Sequence, residues 1–242
     1  MIADGVSLFF PVYNDERTVR TVADKALALL PQVAAQYEII IVDDGSPDRS
    51  GAIADELARE HDCVRVIHHP RNLGYGAALR AGIAACRFEY VCMIDGDDEY
   101  EVEDLRRLLE LKEHYDLIVT FRYKKIYSSS RIFLSWVYNR ALTYLFRTRF
   151  RDISTGLRVA RRSVLETLDL EAASTFIGAE MAIKAMLKGY RVGEVGIQTF
   201  PRRFGGSAST TVKSIAGTVA DMLLTYGRVF SDTYDLPANR KR

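Results

Sequence analysis

The stretch EIIIVDDGSPD, residues 38–48, joins an apolar run typical of a buried β-strand to two adjacent acids and a turn. Apolar runs of this kind recur along the first half of the chain, and each of the first four is followed by a longer segment with helical spacing. The apolar runs cover residues 6–10, 38–42, 64–68, 90–94 and 117–121, and the helical segments cover 15–30, 50–60, 75–87 and 103–112. This alternation predicts βαβ units and hence an α/β fold, with a mostly parallel central sheet flanked by helices.

The composition is that of an ordinary globular protein. The chain has 242 residues, of which 48% are hydrophobic and 27% charged, and its formal net charge is +1. This length suits one large domain, 1–242, and the balanced charge predicts that nucleic acid is not a partner. The three cysteines form no C-x-x-C pair, which favours reduced thiols in the cytoplasm. No apolar run approaches the length of a membrane span, and we expect no signal peptide.

Polar residues directly follow four of the five predicted strands. They are Tyr13-Asn14, Asp43-Asp44, His68-His69 and Asp95-Gly96-Asp97. Ligands of open parallel sheets bind beyond the carboxyl ends of the strands. We therefore expect these residues to share one crevice.

The turn after the second strand carries more acid than a turn requires. Asp43-Asp44-Gly45-Ser46-Pro47-Asp48 is good turn and helix-capping chemistry, but one aspartate would suffice for that purpose. A carboxylate at the end of a strand can also accept hydrogen bonds from a nucleobase or a ribose. The second aspartate therefore favours a nucleotide site.

The stretch MIDGDDE, residues 93–99, crowds four acids directly after the fourth strand. Carboxylates this close repel one another, so the cluster is unfavourable unless a cation, a cap or water offsets the repulsion. The spacing does not fit a calcium loop, and hard oxygens without nearby Cys or His favour Mg²⁺ or Mn²⁺. We interpret the cluster as the site of a divalent cation that carries a diphosphate.

The second half of the chain is rich in arginine and contains two amphipathic segments. The arginines include Arg122, Arg131 and Arg158, and the segments with helical spacing lie near 128–147 and 212–230. Core packing would explain both apolar faces. The alternative is that part of each face stays exposed in a membrane interface, which Trp136, several tyrosines and the flanking arginines would suit.

Several motifs together resemble a known family. In chain order these are Pro11-Val12-Tyr13-Asn14-Asp15-Glu16, the 42–48 run, Arg71-Asn72-Leu73-Gly74 and Asp95-Gly96-Asp97. In this order and at these separations they resemble the family 2 glycosyltransferases, which have the Rossmann-like GT-A fold. Five later stretches resemble the dolichol-phosphate (polyprenyl-phosphate) mannosyltransferase branch: Arg122-Tyr123, Arg131-x-x-x-Ser135-x-x-x-Asn139, Asp152-x-x-Thr155-Gly156-x-Arg158, Gly178-x-Glu180-Met181 and Arg202-x-x-Gly205-x-Ser207.

The resemblance implies a role for each matching position on the donor side. The nucleotide would contact Pro11, Tyr13, Glu16 and Asp43, with Asp44 supporting their turn. The metal would be held by Asp95, Asp97 and Glu99, and Arg202 would reach the donor diphosphate. Glu99 departs from the family, which often has an amide at this position, so the extra negative charge is expected to alter metal preference or strength.

On the acceptor side, the resemblance implies that Arg122, Arg131 and Ser135 bind a lipid phosphate. The implied reaction is an inverting, metal-dependent transfer of a hexose, with mannose from GDP-mannose as the first choice and UDP-glucose as an alternative donor. A phosphate acceptor needs no strong protein base, because its second pKa of about 6 leaves it largely dianionic at neutral pH. Asp97, Arg122 and Arg131 are then the residues expected to carry catalysis.

Two other functions remain open. A related enzyme of the same fold would use a hydroxyl acceptor on a growing glycan, with Glu180 as its general base. A non-catalytic module would bind the nucleotide sugar or a membrane without turnover, which the complete acidic and basic sets disfavour.

Within the single domain we expect a nucleotide-sugar half at about 1–121, an acceptor half at about 122–230 and a tail at 231–242. Reversible attachment to the cytosolic face of a membrane would use the segments near 131–147 and 212–230.

Overall fold

The computed structural model describes residues 1–124, 129–201 and 211–231. Seven strands form one sheet in the order β3-β2-β1-β4-β6-β5-β7. The strands are β1 (Ala3–Val12), β2 (Ala34–Asp43), β3 (Val64–His68), β4 (Tyr90–Met93), β5 (Leu117–Arg122), β6 (Arg158–Arg161) and β7 (Val192–Ile197). The helices are α1 (Val19–Val33), α2 (Ser50–Glu60), α3 (Tyr75–Ala85), α4 (Asp104–Glu110), α5 (Ser129–Phe146), α6 (Arg162–Leu165), α7 (Ile177–Leu187) and α8 (Val212–Val229).

The sheet is mostly parallel, as the alternating pattern predicts. Strands β3, β2, β1 and β4 run parallel, β6 is antiparallel to both β4 and β5, and β7 is parallel to β5. The carboxyl ends of β1, β2, β4 and β5 therefore meet at one edge, and β6 starts there because it runs the opposite way. This edge gathers the predicted site residues of both halves of the chain.

The strands are apolar throughout because both faces of the sheet are covered. In β2, Ile39 and Ile41 pack into one hydrophobic cluster while Ile40 and Val42 pack into the other. Phe9 of β1 also belongs to the second cluster. Successive side chains of a strand point to opposite faces, so a strand between two helical layers needs apolar residues at every position.

The predicted helix at 15–30 begins later in the structure, at Val19, and ends at Val33. Backbone groups just after β1 instead bind the turn that follows β2. The Asp15 N–H donates to Ser50 Oγ at 2.9 Å, and the Glu16 N–H donates to Asp48 Oδ2 at 3.1 Å. These bonds hold residues 13–16 as a loop at the edge of the sheet.

Helices α5 and α8 bury only part of their apolar surface. Leu142, Phe146, Met222 and Val229 are buried and belong to one hydrophobic cluster. Other apolar side chains on the two helices are exposed: Ile132, Phe133, Leu134, Trp136, Val137 and Tyr144 on α5, and Val212, Val219, Leu223, Leu224 and Tyr226 on α8. Core packing therefore explains one side of each helix and leaves the other side uncovered.

Two further observations bear on the sequence predictions. Across the residues that the structure describes, no helix is both long enough and apolar enough to cross a bilayer. Cys63, Cys86 and Cys92 all fall within the described ranges and are unbridged, with Cys86 and Cys92 buried. Burial raises the pKa of the Cys86 thiol to about 12, so this thiol stays protonated at neutral pH.

Candidate active site

A cavity of about 670 Å³ opens at the edge where the strand ends meet. Its lining combines residues after β1 and β4 with residues of β5, α5, the start of β6 and α8. Of the residues singled out from the sequence, the lining includes Pro11, Tyr13, Asp44, Asp95, Asp97, Glu99, Arg122, Arg131, Ser135 and Arg158. Residues from both halves of the chain thus line one crevice, although Asn14, Asp43, His68 and His69, which the sequence also places there, are not among its lining residues.

Asp43 lies behind the cavity rather than on its lining. Its Oδ1 accepts the Ser46 N–H at 3.0 Å, and its Oδ2 is 3.0 Å from Nδ1 of His68. The other ring nitrogen of His68 lies 2.9 Å from Oδ1 of Asp55. Hydrogen bonding to Asp55, followed by hydrogen bonding to Asp43, raises the pKa of His68, while burial opposes the rise. The histidine expected in the crevice instead supports the Asp43 turn.

Asp44 fixes the loop that precedes α3. Its Oδ1 accepts the Leu73 N–H at 2.9 Å and its Oδ2 accepts the Gly74 N–H at 2.9 Å. Nδ1 of His69 also lies 2.7 Å from Oδ1 of Asp44. This carboxylate joins two loops at the edge of the cavity.

Gly45 allows these two loops to pack closely. Its φ of +67° lies in the left-handed region that favours glycine. A Cβ at this position would lie 2.4 Å from the carbonyl carbon of Arg71. The glycine of the Asp43-Asp44-Gly45 turn is therefore needed both for its backbone conformation and for the space it leaves.

Tyr13 and Glu16 belong to the loop after β1 but face different surroundings. Tyr13 is exposed and lines the cavity, whereas Glu16 is not among the lining residues. Oε2 of Glu16 accepts the Arg49 N–H at 3.2 Å. Glu16 therefore ties the loop after β1 to the start of α2.

The four acids of residues 95–99 separate into two groups. Asp95, Asp97 and Glu99 line the cavity, whereas Asp98, whose φ is +58°, binds Nζ of Lys25 at 2.8 Å. Asp97 Oδ1 also accepts the Glu99 N–H at 3.1 Å. Lys25 thus offsets one of the four charges, and the other three remain around the cavity.

Asp95 carries the strongest electrostatic perturbation of this group. Burial of the carboxyl, reinforced by the charge of Asp97, raises the pKa of Asp95 to about 7. The Tyr75 hydroxyl donates a 2.7 Å hydrogen bond to Asp95 Oδ1, and Arg158 is close enough to favour the ionised form. A carboxylate disfavoured by its neighbours in this way gains from a bound cation.

The donor chemistry of these acids suits Mg²⁺ or Mn²⁺, since the described cavity lining offers carboxylate oxygens and contains neither Cys nor His. Within residues 1–124, 129–201 and 211–231, however, no three His, Cys, Asp or Glu side chains are grouped to enclose a metal ion. A cation at this position would accordingly take part of its coordination shell from a ligand, as Mg²⁺ commonly does with phosphates.

Arginines line the same cavity as these acids. Arg122 binds Asp152 through Nε at 2.9 Å and through Nη2 at 3.3 Å, and its Nη2 also donates to Ser154 at 2.7 Å. Arg131 and Ser135 project from α5 and line the cavity. Arg202 lies outside the described residues. The acidic and basic sets implied by the resemblance thus lie around the same cavity.

Glu180 does not reach the cavity, and this differs from the position expected of a general base. It is fully buried in α7, where it pairs with Lys184 at 2.7 Å and accepts the backbone N–H groups of Glu171 and Ala172. These contacts occupy the carboxylate within the protein. The structure therefore does not bring Glu180 together with the other predicted site residues.

Three residues that shape the cavity carry little signal in the sequence. Tyr75 bonds Asp95, and Tyr100 accepts the Gly156 N–H at 2.8 Å. Arg158 is buried and lines the cavity, and its Nε has no hydrogen-bond partner among the described residues. Arg158 belongs to one of the motifs that carry the resemblance, but the resemblance assigns no role to it, and an isolated tyrosine has no recognisable pattern.

Comparison with known proteins places the chain among glycosyl transferases. The model of the family described as Glycosyl transferase family 2 matches residues 7–169. The polyprenol monophosphomannose synthase of Mycolicibacterium smegmatis is 33% identical over 213 residues, which cover 83% of this chain and 79% of that protein. An undecaprenyl-phosphate 4-deoxy-4-formamido-L-arabinose transferase of Pseudomonas fluorescens is 34% identical over 176 residues, covering 71% of this chain and about half (51%) of that protein.

A solved structure gives the same fold. Glucosyl-3-phosphoglycerate synthase from Mycobacterium tuberculosis, crystallised with Mn²⁺, UDP and phosphoglyceric acid, superposes with a TM-score of 0.75 at 20% identity. The superposition covers 93% of this chain and 79% of that chain. At this identity the likeness establishes the architecture, which is that of a GT-A enzyme.

Proposed function

This chain belongs to glycosyl transferase family 2, and from that premise we propose that it transfers a hexose from a nucleotide sugar to a polyprenyl phosphate with inversion at the anomeric carbon. One observation carries the proposal: the same cavity is lined by the carboxylates of Asp95, Asp97 and Glu99 and by the guanidinium groups of Arg122 and Arg131. The similarity to a polyprenol monophosphomannose synthase and to an undecaprenyl-phosphate sugar transferase supports a polyprenyl-phosphate acceptor. GDP-mannose is the first donor to test, and UDP-glucose is the second.

The acidic side suits the donor. The nucleotide would lie against Pro11, Tyr13 and the turn that Asp43 and Asp44 hold. A Mg²⁺ or Mn²⁺ ion held by Asp95, Asp97 and Glu99 would neutralise the charge that develops on the leaving diphosphate. Asp95 and Asp97 are held by neighbours inside the protein, through the Tyr75 hydroxyl and the Glu99 N–H. Preorganisation of this kind means that little rearrangement is required when the diphosphate leaves.

Arg122, Arg131 and Ser135 of the cavity lining suit a phosphate acceptor. Arg131 and Ser135 are four residues apart on α5, about one helical turn, so both face the cavity. Arg122, held by Asp152 and Ser154, is fixed in a single orientation. These groups would orient a phosphate oxygen for attack on the anomeric carbon while the bond from that carbon to the diphosphate oxygen breaks, and the diphosphate keeps the bonding electrons. The acceptor is already largely dianionic at neutral pH, so no base is required.

Apolar residues beside Arg131 suit the lipid part of the acceptor. Leu134, Val137 and Ala141 of α5, together with Val219 and Met222 of α8, line the same cavity. Beyond the cavity, the exposed apolar side chains of these helices form a surface that would lie in the membrane interface. Arg140, whose guanidinium lies 5.6 Å from the ring centroid of the exposed Trp136, would remain at the level of the lipid headgroups.

The buried environment of Glu180 argues against the alternative of a hydroxyl acceptor. A hydroxyl nucleophile needs a base within hydrogen-bond reach of its proton. The Glu180 carboxylate already accepts two backbone N–H groups and the Lys184 ammonium, and it does not line the cavity. A phosphate acceptor makes no such demand, and the arginines of the cavity suit its charge.

The test begins with a thermal-shift screen of nucleotide sugars in the presence of Mn²⁺, since a ligand of the folded state raises the melting temperature. The stabilising sugar is then radiolabelled and incubated with and without polyprenyl phosphate. We expect label to enter the organic phase only when polyprenyl phosphate is present. Label that passes instead to a glycan hydroxyl, or binding without turnover, would contradict the proposal.

A further inference from the structure

Glu180 and Lys184 form an ion pair of 2.7 Å inside α7, and each side chain is only 1% exposed. Burying two charges is costly, and a buried pair is often no more stabilising than apolar residues of the same size. The proposed transfer to a phosphate uses neither side chain. Their other contacts indicate what the pair does.

Both charges bind the backbone of the segment 169–174, which precedes α7. Oε2 of Glu180 accepts the N–H groups of Glu171 at 3.1 Å and Ala172 at 2.9 Å. Lys184 donates to the carbonyl oxygen of Asp169. Asp169 has a φ of +48°, a left-handed conformation that is uncommon for a residue other than glycine. The ion pair therefore holds this segment in a conformation that it would not readily adopt alone.

The segment 169–174 in turn packs against the start of α3. The Gly76 N–H donates to the Ala173 carbonyl at 3.0 Å, and Nη1 of Arg80 donates to the Ala172 carbonyl at 2.7 Å. A Cβ at Gly76 would lie 2.1 Å from the Ala172 carbonyl oxygen. The two pieces of backbone approach so closely that a side chain at Gly76 would force them apart.

The start of α3 carries Tyr75, whose hydroxyl binds Asp95 in the cavity. Asp44 holds the same turn from the opposite side through the Leu73 and Gly74 N–H groups. The first turn of α3 thus lies between Asp44 and the segment 169–174. A displacement of that segment would reach Asp95 through Tyr75.

A second contact of α7 points in the same direction. A Cβ at Gly178 would lie 2.3 Å from Nη2 of Arg158, so glycine at this position leaves room for the buried guanidinium that lines the cavity. Gly178 and Glu180 are two residues apart in one motif of the chain. Gly178 therefore makes room for Arg158, and Glu180 holds the segment 169–174.

From these contacts we infer that Glu180 is a positioning residue, which holds the segment 169–174 against α3 so that Tyr75 orients Asp95. The inference rests on the proposed function, because it assumes that the cavity is where transfer occurs. It differs from a catalytic role in a testable way. A base must keep its carboxylate, whereas a positioning residue needs only to accept the Glu171 and Ala172 N–H groups without leaving a buried charge unpaired.

The variants that separate these roles are Glu180→Gln and the pair Glu180→Gln with Lys184→Met. The single variant keeps an acceptor oxygen but leaves the Lys184 ammonium with the more distant Glu171 carboxylate, at 3.8 Å, in place of its 2.7 Å pair with Glu180, so we expect a lower melting temperature and a loss of about 10- to 100-fold in kcat/KM. The double variant removes both charges, and we expect kcat/KM to return to within about threefold of wild type. Glu166→Gln, which breaks an exposed pair with Arg162, is the matched control and should change neither quantity.

Hydrogen exchange gives a readout that is independent of turnover. The Gly76 amide should exchange faster in Glu180→Gln than in wild type and should regain protection in the double variant. A folded double variant with wild-type protection at Gly76 but a kcat more than about 100-fold below wild type would overturn the inference and return Glu180 to a catalytic role.

If the double variant does not fold, Gly76→Ala tests the same contact from the other side. Its added Cβ should lower kcat and speed exchange of the Glu171 and Ala172 amides, and an unchanged kcat would overturn the inference. All variants are measured on whichever transfer or donor hydrolysis the wild type catalyses. A wild type that never uses polyprenyl phosphate would therefore refute the proposed function without deciding the role of Glu180.

Discussion

The hydroxyl of Tyr75, in the first turn of α3, donates a 2.7 Å hydrogen bond to Oδ1 of Asp95, which follows β4. This bond favours the ionised form of a carboxyl whose pKa is raised to about 7, first by burial and then by the neighbouring Asp97. Tyr75 therefore orients Asp95 and, together with the charge of Arg158, favours its ionised form. The hydrogen bond links the start of α3, which Asp44 holds, to the proposed metal-binding acids.

Tyr75→Phe removes this hydrogen bond and leaves the Asp95 carboxylate with one donor fewer. We expect the concentration of Mn²⁺ required for half-maximal transfer to rise and kcat/KM to fall about tenfold, because a hydrogen bond to a charged group contributes roughly 1.5–3 kcal/mol. Titration of the transfer rate with Mn²⁺ measures the effect. Tyr144→Phe, at a highly exposed position on α5, is the control. An unchanged Mn²⁺ requirement would show that Tyr75 does not support Asp95.

His68 predicts a pH dependence of stability. Its pKa is raised in the folded protein by Asp55 and then by Asp43, so folding favours the protonated imidazole. The resulting stabilisation is fully present below the unfolded value of about 6.5 and is lost as the pH rises through the higher folded value. In His68→Gln this contribution is absent. The melting temperature of wild type should therefore exceed that of the variant by more at about pH 5.5 than at about pH 8.5.

The effect at His68 should be small, because its side chain is 44% exposed and solvent screens the interaction. Thermal unfolding of both proteins at the two pH values, with buffers matched in ionic strength, measures the difference. A difference that grows as the pH rises would have the opposite sign and would contradict the assignment of the two aspartates as partners of a protonated His68.

Arg122 and Arg131 are expected to respond differently to truncation. The side chains of Arg122 and Asp152 are 8% and 3% exposed, so Arg122→Ala removes the arginine from a buried ion pair and should cost about 3–5 kcal/mol of stability. Arg131→Ala should affect stability less and should reduce transfer to polyprenyl phosphate more than hydrolysis of the donor. Urea unfolding and the ratio of transfer to hydrolysis separate the two effects. Equal losses of transfer and hydrolysis in Arg131→Ala would indicate a structural role.

The exposed apolar surface of α5 and α8 predicts binding to membranes. Trp136→Ser combined with Leu223→Ser should weaken co-sedimentation with vesicles that contain anionic lipid and polyprenyl phosphate, because both side chains are more than half exposed in the structure. Leu73→Ser removes a similarly exposed apolar side chain beside the Asp44 turn and should leave vesicle binding unchanged. Wild-type protein that does not bind such vesicles would contradict the proposed surface.

The sequence predicts the first half of the fold well because β1 to β5 are continuous apolar runs between helices. Strands β6 and β7 are harder to predict. Strand β6 is Arg158-Val159-Ala160-Arg161, a four-residue strand with a charge at each end, and β7 contains two glycines and a glutamate. Such short strands form because β4 and β5 are already in place to pair with them. Their formation depends on tertiary contacts, which a hydrophobic pattern in the sequence does not show.

The candidate site is likewise predictable from the sequence only in part. Strand-end positions place Asp95 and Asp97 in the predicted crevice, whereas Arg131 is assigned to the site through the family resemblance. The sequence does not reveal that Asp43 and Glu180 bind other parts of the protein and do not line the cavity. The partner of Asp43 is His68, 25 residues away, and Glu180 binds the backbone of the segment 169–174, which has no regular secondary structure. Nor does it distinguish Asp98, which binds Lys25, from the adjacent Asp97, which faces the cavity.

This last difference provides the most direct test of the central claim, that carboxylates at the strand ends hold a divalent cation and the donor diphosphate. Asp97→Asn and Asp98→Asn each remove one charge from adjacent positions, and asparagine tolerates the left-handed backbone at residue 98. The measurement is Mn²⁺-dependent transfer of radiolabelled sugar to polyprenyl phosphate by both folded variants. We predict that Asp97→Asn loses at least about 100-fold in kcat/KM while Asp98→Asn keeps most of it. Substantial transfer by Asp97→Asn, or equal losses in the two variants, would contradict the account.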